Sequence, residues 1–197
     1  MAIFKPKSNG SMNNFYGICE FGILQFTDKS SDFDWADIFI EILVKQKGSD
    51  YDKQIQLIGS FDKEDGKIVG GSVLKRMYHI FEQLGCDAGI NVQGDWEDES
   101  GDGIKDIAKY LNDKFVIANG KSEPNMDYIA YFYKEKPKVE GGTSYGKIFN
   151  KMYQNNQENK DRLKNDVEWM KSKGYLKELT DEVSKKTEMS ESGLSNL

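Results

Sequence analysis

Residues 35–45, WADIFIEILVK, constrain this chain more than any other stretch. Ala36, Ile38, Ile40, Ile42 and Val44 occupy every second position, and all but the alanine are β-branched. Successive side chains of a strand point to opposite faces, so these residues share one face, which must be core. The other face carries Trp35, Asp37, Phe39, Glu41, Leu43 and Lys45. A half-buried strand of this kind needs antiparallel neighbours, and the flanking sequence offers them. Upstream, NFYGICEFGILQF (14–26) is apolar and aromatic, with Gly17 and Gly22 marking a bend or bulge. DKSSDFD (28–34) separates it from the central strand as a turn cluster. Downstream, KQKGSD (45–50) turns at Gly48, and 51–61 returns with Tyr51, Ile55, Leu57 and Phe61 on one side. KEDG (63–66) makes a further turn, so the chain opens as a meander of long antiparallel strands.

The period then changes. Ser72 is placed to cap a helix whose apolar residues Val73, Leu74, Met77, Phe81 and Leu84 recur at three- and four-residue spacing. Gly85 closes it. This helix reads as a plug across an open barrel end, with Lys75 and His79 on its outer, solvated side. Residues 89–94 (GINVQG) read as a short strand. Asp98, Ser100, Asp102 and Gly103 then open like a calcium loop. Lys109 stands where such a loop needs a bidentate Glu, so a solvated loop and a helix over 103–112 are expected instead. Residues 118–127 form a polar loop.

Residues 128–153 read as two strands around a Gly141-Gly142 turn. With 145–153 extended, Tyr145, Lys147, Phe149, Lys151 and Tyr153 share a face. The partner strand offers Tyr131 and Tyr133 on one face, then Lys134, Lys136 and Lys138 at its end. Rings alternating with ammonium groups suit single-stranded nucleic acid, the rings taking bases and the lysines taking phosphates. The same alternation also describes a half-buried strand with its rings in the core and lysine stems running past them. Trp35 and Phe39 are secondary candidates for base contact. Across this hairpin the lysines outnumber Glu135 and Glu140, whereas the whole chain carries −6. The overall acidity argues against coating duplex DNA through bulk charge but leaves room for a local cationic groove, because exposed charges act over a Debye length of about 8 Å.

Beyond the hairpin, Leu163, Val167 and Met170 form a narrow helical stripe ended by Gly174, with Trp169 beside it. Lys160, Arg162, Lys164, Lys171 and Lys173 make that helix partly basic. The expected organisation is a flexible basic arm over 1–13, one domain over 14–179, and a disordered tail over 180–197. Cys19 and Cys86 form no CxxC pair and read as reduced core residues. No signal peptide or membrane-spanning run is evident, which points to a soluble intracellular protein without membrane contact. P-loop, nucleophile-elbow and HExxH patterns are missing. Asp37 and Glu41 share a strand face but stand about 13 Å apart, too far for one metal pair. No catalysis and no cofactor are expected.

A meander, a helix and a closing hairpin rich in Tyr and Lys make a mainly β chain with flanking helices (α+β). The order is that of an elaborated OB-fold-like antiparallel barrel. Four stretches, MAIFKPKSNGSMNNFYGICEFGI, FDWADIFIEILVKQKGSDY, GGSVLKRMYHIFEQLG and YIAYFYKEKPKVEGG, resemble single-stranded DNA-binding proteins of tailed phages, notably phages of marine bacteria. The resemblance spans roughly residues 1–179. It implies an accessory protein of phage replication or recombination that protects single-stranded DNA in the cytoplasm of the infected host cell. Its partners would be single-stranded DNA and phage replication or recombination proteins. Two departures stand out: the mildly acidic tail ends at Leu197 without an aromatic tip, and no zinc ligand set is present. The competing class is a virion structural or protein-interaction module.

Overall fold

The strand predicted over 35–45 runs from Ile38 to Gln46, starting three residues late, and Ala36, Ile38, Ile40, Ile42 and Val44 are all buried. The computed structural model describes residues 16–49, 52–116, 124–139, 142–143 and 146–179, and the arm and tail expected at the termini lie outside this set. Strands β1 (Gly17–Asp28), β2 (Ile38–Gln46) and β3 (Asp52–Gly59) form the antiparallel meander. A small hairpin follows, β4 (Asp62–Glu64) and β5 (Lys67–Gly70), turning through Asp65 and Gly66 at positive φ. Next come α1 (Ser72–Leu84), the two-residue strands β6 (Gly89–Ile90) and β7 (Trp96–Glu97), and α2 (Ile107–Phe115). The chain closes with β8 (Tyr128–Lys134), β9 (Gly146–Gln154) and α3 (Gln157–Ser172).

The main sheet runs β3-β2-β1-β8-β9 and is antiparallel throughout. Its two outer strands curl round to face each other, and the Lys53 ammonium lies 3.2 Å from where a Cβ on Gly146 would sit. The result is a nearly closed antiparallel barrel with three helices, an OB-like α+β fold. Val73, Met77, Ile80 and Phe81 on α1 join Phe21, Phe26, Ile40 and Phe132 inside it. Among the described residues no helix is long and apolar enough to cross a membrane.

Local details depart from the sequence reading. Gly71 occupies the cap position of α1, Ser72 is the first helical residue, and no side chain caps that end. The second helix begins at Ile107 rather than 103, because Asp106 accepts the backbone N–H of Lys109 at 2.8 Å. The strand expected over 89–94 shrinks to two residues. Asp98 turns its carboxylate inward, accepting the N–H groups of Ser100 and Asp102 at 2.9 and 3.0 Å. Gly22 is required by close approach, since a Cβ there would lie 2.3 Å from the Asn125 carbonyl oxygen.

One side chain stands in for a strand. Pairing of β1 with β8 ends at Phe21, and β1 is irregular between Ile23 and Gln25. Beyond that point Asn112 of α2 accepts the Phe26 N–H at 2.9 Å and donates to the Phe26 carbonyl at 2.8 Å. Asn112→Ala should therefore strand a partly buried amide and carbonyl and cost about 2–3 kcal/mol. The measurement is the urea midpoint, with the denaturant slope unchanged.

Candidate nucleic-acid interface

The two faces of the β8–β9 ribbon have separate fates. Ala130, Phe132, Ile148 and Met152 point into the barrel. Ile129, Tyr131, Tyr133, Phe149 and Tyr153 lie on the outer face. Ala130 pairs with Met152 and Phe132 with Ile148, so β9 carries extra residues opposite Tyr131. The excess is even-numbered, so the odd positions of β9 stay on one side.

That side is covered. α3 lays Leu163 and Val167 across it, Leu176 follows, and a second core forms with Ile129, Tyr131 and Tyr153. Tyr131 is 9% exposed and Tyr153 5%. Stacking needs a ring face open to solvent, and neither residue expected to stack has one. Only their hydroxyls reach the rim, where acids and lysines meet them. Tyr131 donates to Glu178 at 2.8 Å and accepts from Lys171 at 2.8 Å. Tyr153 donates to Asp166 at 2.6 Å, and Lys151 donates to the same oxygen at 2.9 Å. Burial, reinforced by the hydrogen bond to Asp166, pushes the Tyr153 phenol well up. Burial opposes ionisation of Asp166, yet Tyr153 and Lys151 together hold its carboxyl below the usual range.

The other predicted site residues scatter around this core. Tyr133 and Phe149 are half-buried at its edge. Lys147 is exposed and 3.4 Å from Glu135. Lys134 is half-buried, while Lys136 and Lys138 are exposed in the connection after β8. Backbone bonds from Lys136 N to Lys177 O and from Leu179 N to Lys134 O tie that connection to the segment after α3. Tyr145 lies outside the described residues. In the β1–β2 connection Trp35 is 61% exposed, but Phe39 is buried beneath Phe33, its ring centroid 5.3 Å away.

Two adjoining grooves open where the barrel fails to close. The first, about 540 Å³, follows the seam between β3 and β9. Lys53, Arg76 and Lys147 line it with Gln54, Gln56 and Tyr133; among the described lining residues Asp52 is the one acid, and Glu135 stands 3.4 Å from Lys147. Lys53 shares the register of Ile55 and Leu57 but sits at the strand's start, so its ammonium emerges at the barrel mouth. Arg76 is anchored by donating to the Ile58 carbonyl at 2.7 Å.

The second groove, about 380 Å³, shares Arg76, Tyr133 and Ile148 with the first and lies between β9 and α3. Its walls include Phe149, Lys151, Trp169, Met170 and Tyr175. Gly174, at φ 69°, reverses the chain after α3 and sets the Tyr175 ring 5.9 Å from that of Trp169. Sequence reasoning missed Lys53, Arg76 and Tyr175 as site residues. The only signal was a lysine at the end of an apolar strand face.

His79 proves half-buried rather than solvated, with Nε2 2.9 Å from the Met152 carbonyl and its ring 4.9 Å from Tyr153. Burial lowers its pKa from 6.5. The unfolded chain therefore binds this proton more readily. Its effect on stability is neutral above about 6.5 and destabilising as pH falls through that value, levelling below the folded pKa. His79→Gln should flatten the stability profile between pH 7 and 5.5, read from urea midpoints across a pH series.

No protein-family model, curated protein or solved structure matches this chain.

Proposed function

We propose that this protein is a non-catalytic single-stranded DNA-binding protein whose strand lies along the open seam of the barrel. The observation that carries this reading is the β3–β9 groove, where Lys53, Arg76 and Lys147 converge beside Tyr133, with Asp52 in the lining and Glu135 3.4 Å from Lys147 as the acids against them among the described residues. The chain as a whole is acidic at −6, so this cationic lining is a local feature. An OB-like barrel supports the reading, since such barrels bind oligonucleotides on an outer strand face and adjoining loops. Lys53, Arg76 and Lys147 neutralise phosphates, and Tyr133 and Phe149 contact bases at the groove edge. The phage resemblance adds the setting: protection and organisation of single-stranded DNA during replication or recombination in an infected cell.

The deciding experiment titrates the protein with oligo-dT while following Trp and Tyr fluorescence at two salt concentrations. Saturable quenching that weakens with salt is expected, with a logarithmic slope of about −0.7 per phosphate neutralised. No saturable response at low salt ends the reading.

A further inference from the structure

We infer that the apolar notch between β9 and α3 takes an unstacked nucleobase from the strand whose phosphates lie on the seam. This rests on the function proposed above and assigns that function a second subsite. Trp169 is 54% exposed and Tyr175 67%, although both are large aromatic residues with apolar surface to bury. Their rings are 5.9 Å apart and tilted by 55°, so neither covers the other's face. Phe149 and Met170 line the same notch, giving it an apolar floor. Its volume of about 380 Å³ is within the range of small-molecule pockets.

Charge selects the occupant. Arg76 and Tyr133 belong to both grooves, so a polyanionic backbone on the cationic side has its bases within reach of the notch. Asp166 and Lys151 both line the notch and are paired with each other at 2.9 Å, so their charges offset. With those two charges offset and the rest of its lining largely apolar, the notch suits the neutral base, while the phosphates stay with Lys53 and Lys147 on the seam. Every base has a π-face, so the notch accepts any of them.

The test compares oligo-dT with an abasic strand carrying the same number of phosphates, using the full chain and its Trp169→Ala/Tyr175→Ala variant. Both replaced side chains are exposed, and an unchanged thermal midpoint confirms that the variant is folded. The wild type should prefer oligo-dT by about five- to a hundredfold. The variant should lose most of that preference while its affinity for the abasic strand stays the same. In a Trp35→Phe/Trp96→Phe background, which leaves Trp169 as the one tryptophan, oligo-dT should also quench its emission. An unchanged preference for oligo-dT in the variant overturns the inference and leaves the proposed function standing; a notch built for an apolar peptide side chain gives that result. Failure of the wild type to bind either strand overturns both.

Discussion

Lys53→Glu combined with Lys147→Glu should lower the affinity for oligo-dT by roughly a hundredfold at low salt and flatten its salt dependence. Both lysines line the seam groove, one from β3 and one from β9. Lys147 is exposed and Lys53 is half-buried at the start of β3, so an unchanged thermal midpoint is the check that the double variant is folded. The double substitution changes the local charge by four units and leaves Arg76 as the groove's one remaining cation among the described residues. Losing two phosphate contacts should make the logarithmic salt slope shallower by about 1.4. Fluorescence titration over a salt series reads both quantities. Lys136→Glu with Lys138→Glu is the control: these lysines are exposed on the same hairpin but line neither groove. If that pair lowers affinity as much as the seam pair, the strand follows the hairpin tip rather than the seam.

Phe132→Ala carries the largest expected loss of stability, about 3–5 kcal/mol. Phe132 is 1% exposed and meets Phe21 edge-to-face at 6.2 Å between ring centroids. Removing it empties the middle of the barrel, where β1 and β8 are paired and the backbone cannot collapse freely. A chain of this size loses about 2–4 °C of thermal midpoint per kcal/mol, so a drop on the order of 10 °C is expected. Tyr133→Ala, one residue on, is the comparison. That side chain is half-buried at the groove edge, so it should cost far less stability and more affinity. Similar losses of stability at both positions would contradict the assignment of the two faces.

The strands were legible because alternation is written locally. Ile38, Ile40, Ile42 and Val44 declare a buried face whatever lies beyond them, and Val73, Met77 and Phe81 do the same for α1. Helix ends were less legible. Asp106 rather than a residue near 103 caps α2, and the choice depends on a single side-chain hydrogen bond among many available acids. Asn112 gave no sign of its role, because the backbone groups it satisfies belong to Phe26, far away in the chain.

For the candidate binding residues the division is sharper. Sequence alone determined that Lys147, Phe149, Lys151 and Tyr153 share one side of a strand, because extended backbone alternates its side chains. It also determined that Leu163, Val167 and Met170 form a stripe needing cover. Only the tertiary structure decided that the stripe docks on that strand face, sealing Tyr131 and Tyr153 and leaving Tyr133, Phe149, Trp169 and Tyr175 at the margin. Lys53, Arg76 and Lys147 likewise become neighbours only when β3 and β9 curl together. The physical reason is that periodicity is set by the torsions of one segment, whereas burial is set by whichever partner removes most apolar surface from water.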